Sequence, residues 1–199
     1  MELDNRKISF YIDEGYSDRY WYQECENVLR KLFKDDWQLA AKMLAATSIN
    51  TSITSNVTLF KRAWYQYHND LPLTGYLPNI EKQLAQIKAG TGLTGQKICA
   101  FERAMTGDPD AVVVDLWLAR AFGVEKRYFR KESELERSGG VSEKTFKAVT
   151  LSVQIKAYSM GVQPREASAM IWSGIRKQFF PKEKTRYSGY LIKNFSTLF

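Results

Sequence analysis

Apolar residues recur at helical spacing along most of the chain. In "YWYQECENVLRKLFKDD", Tyr22, Cys25 and Leu29 lie three to four positions apart, which is the spacing of one helix face. The same spacing marks further predicted helices in "DWQLAAKMLAATS", "VTLFKRAWYQYHN", "NIEKQLAQIKAG", "QKICAFERAMTG", "LWLARAFG", "SEKTFKAVTLSVQIKAYSMG" and "QPREASAMIWSGIRKQFF". The pattern therefore predicts an all-α protein.

Glycine, proline and capping residues separate these helices. "LPLTGYLP" and "TGLTG" predict a break and a turn, and Asn79 and Gly90 are predicted to begin and end the helix between them. The run "AVVVD" is too short to supply a sheet. We therefore predict an extended connector with buried valines, followed by a helix whose N-cap is Asp115.

The charge balance points to an anionic partner. The chain has 199 residues, of which 44% are hydrophobic and 26% are charged, as in an ordinary globular protein. Its formal charge of +7 would also fit a protein that merely has a basic surface, but it favours nucleic acid as a partner.

Several kinds of chemistry are made improbable by what the chain lacks. Two cysteines and the single histidine His68 supply neither a disulfide framework, a metal cluster nor a histidine-based triad. We therefore expect no metal and no cofactor. No apolar stretch is long enough for a membrane span, and the start does not resemble a signal peptide, so we expect a cytoplasmic protein with no membrane partner.

Two residues within "GLTGQKICAFERAMTGDPDAVVVDLWLARAFG" could carry chemistry. Lys97 lies in the first turn of its predicted helix, where it is either a solvated surface lysine or an amine able to attack an electrophilic carbon. Asp115 is either a helix cap alone or a cap whose ionised carboxylate also faces a cleft and stabilises a cation.

Together these segments resemble the helix–hairpin–helix DNA glycosylase superfamily. In that family a glycine-containing hairpin leads to a helix that carries a lysine in bifunctional members, and an apolar run ending in V-D supplies an aspartate. Here the hairpin is "GLTGQK", the lysine is Lys97 and "AVVVD" ends in Asp115, 18 residues later, the spacing of an endonuclease III-like member. "GQKICAFERAM" is also similar to the archaeal 8-oxoguanine glycosylase branch.

The resemblance implies a DNA glycosylase, with or without AP-lyase activity, that flips a damaged or modified base out of double-stranded DNA. Lys97 would be the nucleophile and Asp115 would stabilise the sugar cation. The residues implied or inferred to bind DNA are Thr47, Asn50, Gly92, Gly95, Gln96, Arg120, Arg176 and Lys177. The aromatic candidates for stacking on the extruded base are Trp64, Phe101, Trp117 and Trp172.

The sequence departs from the family pattern in three places. The usual hairpin L-P-G-V-G keeps only Gly95, the position after Asp115 is Leu116, and the four-cysteine cluster of some members is absent. The first departure affects the contact of the hairpin with phosphate, and the second affects a contact with the target base.

The resemblance implies two helical lobes with a central cleft. We predict one lobe from 37–123, containing the helix–hairpin–helix, and a second from 1–36 plus 124–199, ending in a basic aromatic tail. Three alternatives stay open: an inactive helix–hairpin–helix DNA-binding module, a protein-interaction module that docks through the tail, and a helical bundle whose match is accidental.

Overall fold

The computed structural model describes residues 5–124, 141–181 and 187–195, and it confirms the all-α prediction for them. Short 3₁₀ turns at Tyr16–Asp18 and Lys34–Asp36 precede α2 and α3. The α-helices of the described ranges are α1 (Asn5–Gly15), α2 (Trp21–Phe33), α3 (Trp37–Thr47), α4 (Ile53–His68), α5 (Pro78–Lys88), α6 (Gln96–Met105), α7 (Leu116–Ala121), α8 (Glu143–Ser159), α9 (Pro164–Phe179) and α10 (Tyr187–Phe195). None of these helices is long and apolar enough to cross a membrane.

The chain divides into two compact units. We call Met1–Tyr22 with Gly107–Lys184 the aspartate unit, and Gln23–Thr106 with Thr185–Phe199 the hairpin unit. These boundaries differ from the lobes predicted at 37–123 and at 1–36 plus 124–199. Asp115 and α7 belong to the same unit as α1, α8 and α9, because their apolar side chains share one core.

The core of the aspartate unit forms around the contact between α1 and α9. Its apolar side chains include Ile12, Met170 and Ile171, all buried. Gly15 and Gly174 let the two helix backbones approach closely. An added Cβ at Gly174 would lie 1.9 Å from the carbonyl oxygen of Tyr11, so no larger residue fits without moving a helix.

The predicted valine connector is confirmed within this unit. Val112, Val113 and Val114 are all buried although they belong to no regular element. The amide of Val113 donates to Ser168 Oγ of α9 at 3.3 Å, and the amide of Arg165 donates to the carbonyl of Pro109 at 3.0 Å. The connector is thereby fixed along α9, and it delivers Asp115 to the start of α7.

The hairpin unit contains an aromatic cluster and a buried polar network. Rings of Phe33, Phe60, Trp64 and Phe195 lie with centroids 4.5 to 6.0 Å apart, which is the range of favourable ring packing. The network joins three helices through Asn56. Its amide donates to the carbonyl of Leu44 at 3.2 Å and to the hydroxyl of Tyr187 at 2.6 Å, and its carbonyl accepts from Thr47 Oγ1 at 2.6 Å.

Helices form in two segments where none was predicted, and one helix start is corrected. The N-terminal segment forms α1, and part of the predicted aromatic tail forms α10, whose Tyr187, Leu191 and Phe195 are buried. Helix α5 begins at Pro78, not after Asn79, because proline fits the first helical position. The tail residues 182–186 and 196–199, like the charged segment 125–140, lie outside the described residues.

We expect Gly174→Ala to destabilise the protein by about 1–3 kcal/mol, because the new methyl group overlaps the Tyr11 carbonyl. The higher helix propensity of alanine would offset about 1 kcal/mol of this loss. Urea denaturation measures the change. Gly92→Ala is the matched control, since a Cβ there meets no atom within 4 Å. A Gly174→Ala protein as stable as the wild type would contradict the close contact of α1 with α9.

We expect Tyr187→Phe to lower the free energy of unfolding by about 1 kcal/mol, because Asn56 loses one hydrogen-bond acceptor but retains Leu44. Asn56→Leu should lower the free energy of unfolding by about 2–3 kcal/mol, since Thr47, Leu44 and Tyr187 then lose their hydrogen bonds to Asn56 inside the core. Thermal denaturation tests both variants. The control is Tyr65→Phe, whose ring is exposed; equal effects in all three would argue against the network.

Candidate functional site

A glycine-containing hairpin turn joins α5 to α6 in the hairpin unit, at the position of the predicted helix–hairpin–helix. The connecting turn begins after Lys88 with Gly90 at a φ of 69°, and it ends at Gly95 with a φ of 98°. Both angles lie in the left-handed region that favours glycine. Gln83 of α5 holds the turn from inside: its amide donates to Thr94 Oγ1, and its carbonyl accepts from the Thr94 amide, both at 2.9 Å.

The hairpin presents an open backbone at the start of α6. Gly92, Gly95 and Gln96 are exposed, and a Cβ added at Gly92 would meet no atom within 4 Å. Gly95 is the N-cap and has no side chain to cover the first amides of α6. Helix geometry directs these N–H groups outward, and they carry the positive end of the helix dipole, which suits a phosphate.

Lys97 is held in the first turn of α6. Its side chain is half-buried, and Nζ donates to the carbonyl oxygen of Ser48 at 3.0 Å. Ser48 is the C-cap of α3, so the amine lies beside the loop between α3 and α4. Lys97 is therefore positioned by the fold and is not a fully solvated surface lysine.

The two residues that the resemblance assigns to the duplex, Asn50 and Thr47, have different environments near the α3–α4 loop. Asn50 is exposed and has a φ of 55°, so its amide side chain is available to a ligand. Thr47 is fully buried, and its hydroxyl lies within hydrogen-bonding distance of Met43 O, Leu44 O and Asn56 Oδ1. Thr47 thus has no surface with which to touch DNA, because it belongs to the polar network of the core.

Asp115 is the N-cap of α7, as predicted, and both of its carboxylate oxygens accept hydrogen bonds. The amide of Leu118 donates to Oδ1 at 2.8 Å, and the indole N–H of Trp172 in α9 donates to Oδ2 at 2.8 Å. The side chain is half-buried. Two N–H donors fix the orientation of the carboxylate, so the aspartate can cap a helix and still face a developing positive charge.

Sequence reasoning did not find the contact between Trp172 and Asp115. Trp172 lies 57 residues from Asp115 and was expected only as a ring that stacks on a base. In the structure its ring also stacks on Trp21, with centroids 5.5 Å apart. The indole N–H of a half-buried tryptophan needs a hydrogen-bond acceptor, but this requirement does not show which residue supplies it.

The predicted basic residues of the aspartate unit have different environments. Arg120 is exposed, and Arg176 is half-buried among aromatic rings. Lys177 binds inside the unit, where Nζ lies 3.1 Å from Asp18 Oδ2 and donates to the carbonyl of Glu14 at 2.9 Å. Lys177 therefore links α9 to the turn after α1, whereas Arg120 remains accessible.

The two cysteines are unsuited to nucleophilic chemistry. Burial raises the pKa of the Cys25 thiol to about 12, and it also raises the pKa of the Cys99 thiol. A thiol with a raised pKa supplies little thiolate at neutral pH. Among the described residues, no cluster of three or more His, Cys, Asp or Glu side chains could hold a metal ion.

Lys97 and Asp115 belong to different units. Lys97 lies in the hairpin unit and Asp115 in the aspartate unit. Each is positioned by hydrogen bonds within its own unit, to Ser48 and to Leu118 and Trp172 respectively.

The chain belongs to the family of unknown function DUF7178, whose model matches residues 12–179. The match includes both Lys97 and Asp115 and ends with α9. No curated protein and no solved structure matches the sequence significantly.

We expect Asp115→Ala to destabilise the protein by about 1–2 kcal/mol, because α7 loses its cap and the Trp172 N–H loses its acceptor. Asp115→Asn should have a smaller effect, since its carbonyl oxygen can still accept one of the two hydrogen bonds. Urea denaturation compares the two variants. An equal loss for both would show that the charge matters more for stability than the cap.

Proposed function

We propose that the protein is a DNA glycosylase that excises a damaged or modified base from double-stranded DNA. The proposal assigns the nucleophilic amine to Lys97 and the stabilisation of the sugar cation to Asp115. The α5–α6 hairpin would hold the DNA backbone through Gly92, Gly95 and Gln96. Asn50 would contact the duplex where the base has left the stack, and Arg120 and Arg176 would contact the strand.

Asp115 carries this proposal. Breaking the bond between C1′ and the base nitrogen gathers positive charge on the sugar, and a fixed carboxylate stabilises that charge. The side chain of Asp115 is only half-buried. Two N–H donors orient its carboxylate, which is still partly exposed to solvent. A cap that served α7 alone would need only the hydrogen bond from Leu118.

Lys97 supports the covalent part of the proposal. Its neutral amine would attack C1′, the C1′–N bond would break, and the base would leave with the bonding electrons and take up a proton. The attacking nitrogen would lose a proton, and the C1′–O4′ bond would break as O4′ takes up a proton, which opens the sugar ring and gives a Schiff base. Removal of a proton from C2′ would then expel the 3′ phosphate by β-elimination, which is the AP-lyase reaction.

The hairpin supports the DNA-binding part of the proposal. Exposed amides at a helix start, next to glycines that leave room for a ligand, bind phosphate without reading sequence. The net charge of +7 favours the same partner. The target nucleotide must leave the helical stack, which costs about a few kcal/mol of unstacking energy, and a damaged base lowers this cost.

A non-catalytic DNA-binding module is the second candidate. One observation favours it: Lys97 and Asp115 both have internal partners that would explain their positions without any catalysis. A module that binds proteins through its aromatic tail has less support, because Tyr187, Leu191 and Phe195 are buried within the hairpin unit.

Borohydride trapping separates the two candidates. Duplexes carrying uracil, 8-oxoguanine, thymine glycol, alkylated or hypermodified bases are incubated with the protein and sodium borohydride. We expect a covalent adduct with one of them and none with Lys97→Ala. The matched control is Lys88→Ala, which removes a lysine on the other side of the same hairpin. Asp115→Asn should slow base release by about 100- to 1,000-fold.

The same panel gives the result that would overturn the glycosylase. If no base is released and no adduct forms, while duplex binding is intact, the module that only binds DNA becomes the better account. An adduct that survives Lys97→Ala would instead exclude Lys97 as the nucleophile.

A further inference from the structure

A group of aromatic and arginine side chains lies where α7 meets the end of α9 in the aspartate unit. We call it the arginine–aromatic cluster. Its members are Trp117, Arg120, Trp172, Arg176, Phe179 and Phe180. The glycosylase chemistry described above uses Trp172, which orients Asp115, but it does not use the rings of Trp117, Phe179 and Phe180.

Three of the rings form a surface that is open to solvent. Trp117 contacts Phe179 and Phe180, with centroid separations of 5.4 Å in both pairs. Phe179 is 56% exposed and Phe180 is 44% exposed, while Trp117 is half-buried. Two adjacent exposed phenylalanines beside a tryptophan therefore present apolar ring surface to solvent.

Two guanidinium groups lie against the same rings. The guanidinium carbon of Arg176 is 4.8 Å from the Trp172 ring centroid and 5.0 Å from that of Phe180. The guanidinium carbon of Arg120 is 4.9 Å from the Trp117 ring centroid. Stacking on a ring orients the planar guanidinium, whose fork of N–H donors matches the geometry of phosphate oxygens.

The cluster is continuous with Asp115. Trp172 donates its indole N–H to the Asp115 carboxylate, and Arg176 lies over the ring of that same tryptophan. Trp117 is also only two residues beyond Asp115 in α7. A strand held by the cluster would therefore pass beside the carboxylate.

We propose that the arginine–aromatic cluster binds unpaired nucleotides of DNA. The bases stack on Trp117, Phe179 and Phe180, and Arg120 and Arg176 hold the phosphates. An unpaired nucleotide offers both a flat aromatic face and a negative charge, which matches exposed rings bordered by cations on a chain of charge +7. The inference rests on the DNA binding of the proposed function but not on its catalysis.

Fluorescence anisotropy with a labelled single-stranded thymidine homopolymer of about 12 nucleotides tests this binding, since one folded module covers roughly 4–16 nucleotides. We expect Trp117→Ala and Phe179→Ala each to weaken binding by about 5- to 100-fold. Trp117→Phe should retain most of the affinity, because a stacking ring remains. Arg120→Gln should reduce the slope of log K against log salt by about 0.7.

Phe10→Ala is the matched control, since Phe10 is a similarly exposed phenylalanine of the same unit on α1. Thermal denaturation of every variant separates lost binding from lost folding. Unchanged affinity in well-folded Trp117→Ala and Phe179→Ala overturns the proposal and leaves the cluster to a protein partner. An equal loss in Phe10→Ala overturns it too.

The two proposals fail in distinguishable ways. Binding of the homopolymer that depends on the cluster, without borohydride trapping on any duplex, supports the cluster and rejects the glycosylase. Trapping through Lys97, together with cluster variants that bind the homopolymer normally, rejects the cluster alone.

Discussion

The proposed site depends on the two hydrogen bonds that the carboxylate of Asp115 accepts. One oxygen starts α7 by accepting the Leu118 amide, and the other binds α9 by accepting the Trp172 indole. Because these donors lie 3 and 57 residues away, a single side chain fixes both a local turn and a tertiary contact. The valine connector and the close α1–α9 contact provide the rigid frame in which this carboxylate keeps its orientation.

Structural and chemical roles are compatible at this residue. Hydrogen bonds from N–H groups fix the orientation of a carboxylate, and a carboxylate of fixed orientation is what a developing sugar cation needs. The cap of α7 and the proposed catalytic role therefore draw on the same property. The neighbouring arginines and aromatic rings form the cluster that we propose binds unpaired nucleotides beside this carboxylate.

Local patterns predicted much of the fold, and tertiary contacts account for what they missed. The helix-face spacing, the turn before α6 and the Asp115 cap each depend on residues near one another in sequence. The sequence suggests that Thr47 is a polar residue at a loop. In the structure, the Thr47 hydroxyl is buried against Asn56 and the backbone of α3. The indole partner of Asp115 lies in a distant helix, so no spacing rule could reveal it.

Mass-spectrometric mapping of the borohydride-reduced adduct tests the central claim most directly. The account predicts that the residual deoxyribose is attached to Lys97 Nζ, in the peptide that begins the second helix of the hairpin. Attachment at another lysine or at the terminal amine would contradict it, because Lys97 would then not be the nucleophile.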